Sequence, residues 1–368
     1  MKNNIRFKNL VSKTILFLSF LLFLRNVSLE AQNQIQERNQ YRNRFGQSGK
    51  ALNIVCSFSD YASIAKKIAD ENALVESISK GEEDPHFIPP KPSYVMLLNK
   101  ADMWVATGLD LEQWSVTLLD KANNKKIMEG AIGFVSVSDG INILDKNVIA
   151  DRAQGDVHLM GNPHINTSPL NWKIIATNIT IGLIKVDPQN TTLYMKNRDL
   201  FNDRVDRTLF GDALVDMFGG PTLCKLLQNN TLFEFLNRDY QGKKLSDLLG
   251  GWLKKAFPLR GMKVITYHKN WDYFAEVFGL QILGYIEPKP GIPPSAKHVQ
   301  DVIRLIKEQN ISVMLIDTYF EKKTPQMIEE KTGIKAVYLP LFVTHSGGLD
   351  DIFKKTDYVI NQIINNIK

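Results

Sequence analysis

Short apolar runs alternate with helical segments twice along this chain, and a wholly helical stretch separates the two series. In the first series Leu52–Cys56, Ala73–Ile78, Met103–Thr107 and Ile132–Val137 read as strands. Tyr61–Ala69, Ser93–Asn99 and Leu111–Lys121 read as the helices between them, with Ile64 and Ile68 on one face of the first. In the second series the strands are Lys263–Thr266, Gln281–Ile286, Ser312–Ile316 and Ala336–Leu339. Its helices are Trp271–Phe278, Ser295–Gln309 and Pro325–Lys331, and an amphipathic helix over Leu349–Ile367 closes the chain. Strands that each lead into a helix call for βαβ units and parallel sheets, so the expected class is α/β with two βαβ lobes.

Between the lobes, Pro169 opens a long helical stretch punctuated by Asn178, Gly182 and Asp187-Pro188, and a second helix runs from about Gln189 to Arg204. Glycine and proline interrupt Gly211–Gly251 repeatedly, which marks it as an insertion or a broken connecting helix. The expected organisation is an N-terminal lobe over 51–188, a connecting helix with an insertion over 189–260 and a C-terminal lobe over 261–368.

The formal charge of +6 does not point to nucleic acid. Residues 1–50 hold nine Lys/Arg and two Glu, a net of +7, so the chain from Ala51 onward sums to −1 and lacks a basic footprint. The N-terminal charge has another source. Lys2, Arg6, Lys8 and Lys13 precede the apolar run Thr14–Leu24, and the small residue Ala31 closes the segment, as in a secretory signal peptide over 1–31. Leu29 stands where a small residue is preferred, and an uncleaved anchor is the alternative. Residues 32–50 are polar and read as a disordered leader. No later stretch is long and apolar enough to span a bilayer, so the mature part is expected to be water-soluble and, given the export signal, periplasmic. Of the two cysteines, Cys56 lies within an apolar strand, and both it and Cys224 are expected as unpaired thiols.

Four of the six histidines fall in loops beside strand ends: His86, His164, His268 and His345. In open α/β sheets ligands bind outside the carboxyl ends of the strands, and several imidazoles meeting there suit zinc. Pro85 and Pro163 stiffen the backbone before two of these residues. His158 reads as an extra ligand or a turn residue, and His298 as a surface residue of its helix. Trp104, Trp114 and Trp271 read as core.

Several blocks in order resemble the cluster A-I solute-binding proteins, the zinc and manganese receptors of ATP-binding-cassette importers. They are Asp84-Pro85-His86 with Pro90-Lys91-Pro92-Ser93, Thr107-Gly108-Leu109-Asp110-Leu111-Glu112, Gly155-Asp156-Val157-His158 through Gly161-Asn162-Pro163-His164, Thr266-Tyr267-His268, and Gly347-Gly348-Leu349-Asp350 with Tyr358. The resemblance implies two βαβ lobes bridged by a long helix, with the metal in the cleft between them. Carried over, the ligands are His86, His164, His268 and Asp350, with Asp351 competing for the fourth place. Histidine at the third position favours zinc within the family, with manganese or iron as the alternative cargo. Ile165-Asn166-Thr167-Ser168-Pro169 departs from the family pattern, which leaves a supporting carboxylate in doubt. The His-rich loop of many zinc receptors is absent, and Glu82-Glu83-Asp84 either stands in for it or forms a solvated turn.

The function expected is capture of a divalent metal, zinc first, and delivery to an ABC permease in the inner membrane by a monomer that is not an enzyme. Four protein ligands close a tetrahedral site, whereas catalytic zinc keeps a position open for water. The rivals are a zinc hydrolase, which needs that water and a base beside it, and a metal-degenerate adhesin, which would bind no metal tightly.

Overall fold

The computed structural model describes residues 51–146, 158–240, 242–287, 291–344 and 346–367. The expected signal segment 1–31, the leader 32–50 and His345 lie outside them. Along the chain come β1 (Leu52–Cys56), α1 (Ser59–Ala69), β2 (Ala73–Ser77), α2 (Pro92–Lys100), β3 (Met103–Ala106), α3 (Gln113–Ala122) and β4 (Phe134–Ser136). A helical middle follows: α4 (Pro169–Val186), α5 (Thr191–Phe210), α6 (Asp212–Phe218), α7 (Gly220–Gln228), α8 (Leu232–Leu236), a small antiparallel hairpin of β5 (Asp239–Tyr240) and β6 (Lys243–Lys244), and α9 (Gly251–Lys255). The second series is β7 (Lys263–Thr266), α10 (Asp272–Phe278), β8 (Gln281–Tyr285), α11 (Ala296–Gln309), β9 (Val313–Asp317), α12 (Lys323–Thr332), β10 (Lys335–Leu339) and α13 (Ile352–Asn365).

The first sheet has the order β2-β1-β3-β4 and the second β10-β9-β7-β8, and every pairing within them is parallel. The two are one topology used twice: the opening strand, β1 or β7, is flanked by its next strand on one side and by the third on the other. That reversal of direction leaves a crevice at the carboxyl ends of β1 and β3, and of β7 and β9. Strand periodicity explains why the central strands β1, β3, β7 and β9 are largely apolar. Ile54 and Cys56 face a large core shared with the helical middle, while Val55 between them faces a second cluster with Trp104 and Leu118. Val264 and Leu315 join the shared core, while Ile265 and Met314 face a third cluster beneath α11 and α12. A parallel sheet covered on both faces needs continuous rather than alternating hydrophobicity.

Helix α4 runs unbroken through Asn178 and Gly182, which the sequence suggested as punctuation. Asn178 Nδ2 donates to the carbonyls of Val137 and Asp139, both at 2.9 Å, tying the helix to the end of β4. At Gly182 the helix lies directly on the sheet: a Cβ there would stand 2.3 Å from Val135 Cγ2 and 3.0 Å from Met103 Sδ. Gly182→Ala should therefore lower stability by up to about 2 kcal/mol in urea unfolding, since overpacking costs ~1–3 kcal/mol against a propensity gain of ~1 kcal/mol. A stabilised variant would show that the close approach does not matter.

Helix α5 spans 20 residues, about 30 Å, and reaches six residues past the expected end. It stops at Gly211 (φ +85°), whose Cα hydrogen cannot be enlarged because a Cβ would meet Gly250 Cα at 2.6 Å. The Gly250 amide donates to the Phe210 carbonyl at 2.8 Å. The segment from Gly211 to Gly250 is thus an excursion that leaves and returns at one point. Its Leu214, Leu223, Leu232 and Leu236 are buried in the shared core.

A buried polar network joins α1 to the start of α13. Asp60 is fully buried and accepts from Asn166 Nδ2 (2.9 Å), Lys355 Nζ (2.7 Å) and the Val343 amide. Around it, Ser59 Oγ donates to the Val343 carbonyl, the Ile352 amide donates to Ser63 Oγ, and Lys67 pairs with Asp351. Phe58 stacks on Phe342 with ring centres 4.8 Å apart. Both cysteines are buried free thiols. Among the described residues no helix is long and apolar enough to cross a membrane.

Candidate metal centre

Three of the expected ligands meet. Ligand atoms of His86, His164 and His268 all lie within 4.8 Å of one another. His268 comes two residues after β7, at the crevice of the second sheet, and His86 comes from the loop after β2 in the first. His164 sits between β4 and α4, at the entry to the 3₁₀ turn Ile165–Thr167.

Each ring is aimed by its backbone. The Asp84 carboxylate accepts from the His86 amide (3.0 Å) and from His86 Nδ1 (2.7 Å), and Trp114 Nε1 donates to the Pro85 carbonyl (2.9 Å). Trp114 is therefore a prop of the ligand loop as well as part of the core. Asn162 fixes the other loop: its Oδ1 accepts from the His164 amide, and its Nδ2 donates to the Lys269 carbonyl and to Asp272. Glu287 Oε2 lies 3.4 Å from His268 Nδ1, within ion-pair reach but without hydrogen-bond alignment.

His164 is fully buried and His268 nearly so, and neither ring nitrogen of either has a hydrogen-bond partner. Buried polar atoms are seldom left this way, and four of them on two facing rings form a donor set with nothing to donate to. Burial first, and the neighbouring rings second, hold the pKa of both well below the usual histidine range. The Glu287–His268 approach is accordingly no salt bridge at neutral pH, since burial also pushes the Glu287 carboxyl up to about 7. Burial, then His86, lowers His158 to about 3. A lowered pKa means a neutral ring with a lone pair to offer. Proton competition from these three residues therefore begins at lower pH than in an exposed histidine. We expect ring ¹⁵N shifts of His164 and His268 in the metal-free chain to keep the neutral signature at pH 5.5; imidazolium signatures there would overturn the burial account. Global melting is a poor readout for this, because Glu287 and Asp317, the latter raised by burial to about 8, act on stability with the opposite sign.

Asp350, expected as the fourth ligand, is not brought to the imidazoles. Its side chain is exposed and accepts from Lys354 Nζ at 2.9 Å. The cause is local: Asp351 is the N-cap of α13, accepting from the Phe353 amide and pairing with Lys67, and this geometry leaves Asp350 on the solvent side. The acidic run is tied down by hydrogen bonds, with Glu82 exposed and Glu83 and Asp84 half-buried. Glu82 accepts from Thr344 and Ser346, Glu83 from Ser79, and Asp84 from His86. Asn166, the departure noted above, is taken up by Asp60. Among the described residues, Asp84 and Glu287 are carboxylates that stand beside the imidazoles. His298 Nε2 lies 2.9 Å from the Tyr285 carbonyl, away from the centre.

Two parallel sheets of like topology that bring imidazoles to one point, with a long helix between, make up a two-lobed binding protein. Solved structures share this fold. A crystal structure of ZnuA superposes with a TM-score of 0.63 at 23% identity, covering 87% of this chain and 100% of that one. The FpvC binding protein of Pseudomonas aeruginosa in complex with Mn²⁺ does so at 0.63 and 17% identity, covering 86% and 98%. The metal ABC transporter substrate-binding lipoprotein of Lactococcus lactis is 29% identical over 341 residues, which is 92% of this chain and 89% of its own. The iron-binding protein YfeA of Yersinia pestis is 24% identical over 290 residues (78% and 76%), and the high-affinity zinc uptake protein ZnuA of Bacillus subtilis 22% over 296 (79% and 78%). The model of the ZnuA family, described as zinc-uptake complex component A, periplasmic, matches residues 54–210 and 229–365. The chain belongs to this family of metal ABC transporter substrate-binding proteins. The unmatched stretch 211–228 is α6 and α7, the first part of the excursion.

Proposed function

We propose that this chain captures a divalent metal ion, zinc in first place, at His86, His164 and His268, and passes it to the permease of an ATP-driven importer. The observation that carries the reading is the set of partnerless ring nitrogens on His164 and His268, beside His86. Nitrogen donors suit zinc, whereas manganese favours oxygen. The iron- and manganese-binding relatives keep those ions in view as alternative cargo. We read the protein as a monomer that works outside the cytoplasm, exported by residues 1–31, with lobes at 51–188 and 261–368 joined by 189–260. The case against an enzyme rests on family membership, because three imidazoles alone leave one zinc position open.

The test is metal content and competition. The full chain, stripped with chelator and offered zinc, manganese and ferrous iron together, should retain one zinc per chain. Retention of manganese or iron instead would change the cargo, and retention of none would end the receptor reading.

A further inference from the structure

His158 Nε2 stands 3.1 Å from His86 Nε2. A zinc ion holds nitrogen ligands at about 2.0–2.1 Å, so two corners of its tetrahedron lie ~3.3 Å apart. In the metal-free chain this contact is a hydrogen bond between the two rings, and its length is also the spacing of ligands that share an ion. Their ring centres are 5.1 Å apart, and His158 lies 5.9 Å from His164 by the same measure. The backbone makes this placement firm. The Gly161 amide donates to the His158 carbonyl at 3.1 Å, closing a turn. Gly161 (φ +98°) lies so close to the Leu144 carbonyl that a Cβ would meet it at 2.6 Å. Asn162 then fastens the same segment to Lys269 and Asp272, so His158 and His164 leave one anchored stretch, and both rings lie against His86.

The hydrogen bonding fits as well. Asp84 can only accept when ionised, so the 2.7 Å contact places the hydrogen of His86 on Nδ1 and leaves Nε2 as a lone pair. That lone pair faces His158 Nε2, its hydrogen-bond partner in the metal-free chain, and the His164 and His268 rings stand 5.3 and 5.4 Å from the His86 ring.

Resting on the proposed capture of metal at this centre, we propose that His158 is its fourth ligand, in place of any carboxylate, and that the resulting four-imidazole set is what selects zinc over manganese. A closed set of four also removes the open position a hydrolytic zinc would need.

The experiment uses the full chain with Zn²⁺, Mn²⁺ and Co²⁺ as probes, in wild type, His158→Ala, His158→Gln and His164→Ala. X-ray absorption at the zinc edge should count four imidazoles in wild type and three in His158→Ala. Zinc affinity should fall by about a hundredfold or more, the share of one ligand in four, while manganese affinity moves much less. The tetrahedral Co²⁺ bands should weaken in parallel. If His158→Ala keeps the wild-type affinity and spectrum while His164→Ala loses metal, the receptor reading stands and His158 is excluded. If His158→Gln restores zinc affinity, His158 is a hydrogen-bonding prop of His86 and the ligand assignment falls. A wild type that retains no zinc overturns both.

Discussion

Replacing His164 with alanine is expected to cost the chain its metal while leaving the metal-free fold intact. The ring makes no hydrogen bond, so its removal strands no partner. Zinc held by four protein ligands is worth about 10–16 kcal/mol, and one ligand's share of ~3–4 kcal/mol corresponds to a drop of roughly a hundred- to a thousandfold. Isothermal competition with a chromophoric chelator reads the affinity, and far-ultraviolet circular dichroism with a urea titration reads the fold. Unchanged zinc affinity would show that the buried ring nitrogens are not where the metal sits. Loss of fold together with metal would show that His164 is structural.

The second large effect is on stability. Asp60→Ala should destabilise the metal-free chain by about 3–5 kcal/mol, because it leaves the Lys355 ammonium buried without its partner. That nitrogen is 2.7 Å from Asp60 Oδ2 and 3.0 Å from the Leu341 carbonyl, with no route to water through its own exposure. The Val343 amide and Asn166 Nδ2 would lose an acceptor at the same time. Lys355→Met should cost less, since Asp60 keeps those two donors. The order of the two variants in urea midpoint is the check; equal and small losses would mean that water reaches the network.

Most of the fold was legible in the sequence, for a physical reason. Strands such as Leu52–Cys56 and Val313–Asp317 are buried on both faces, so their composition alone marks them. The histidines beside strand ends were legible because loop position and residue type coincide. Much of what was missed depends on a neighbour far along the chain. Gly182 resembles a helix breaker until Val135 is seen against it. Asp350 and Asp351 are the exception, alike in composition and set apart by a local capping hydrogen bond to Phe353. Glu287 and the proximity of His158 to His86 are invisible in spacing, because each pair belongs to different loops. The Asp351-Ile352-Phe353 sequence did carry a helix-start signal that could have turned Asp350 away from the ligand set.

The excursion between Gly211 and Gly250 has a consequence for how such a chain can change. Its two ends are hydrogen-bonded to each other, so the path from α5 into α9 is already complete without the residues between them. Material can be added to or trimmed from this loop without moving the register of either sheet or the direction of any imidazole. The limit is set by wetting: trimming it away uncovers the apolar side of α5 that Leu214 and Leu223 now shield. A reporter or affinity tag set at the hairpin turn after Tyr240, which is exposed, keeps that shield and leaves the metal centre undisturbed.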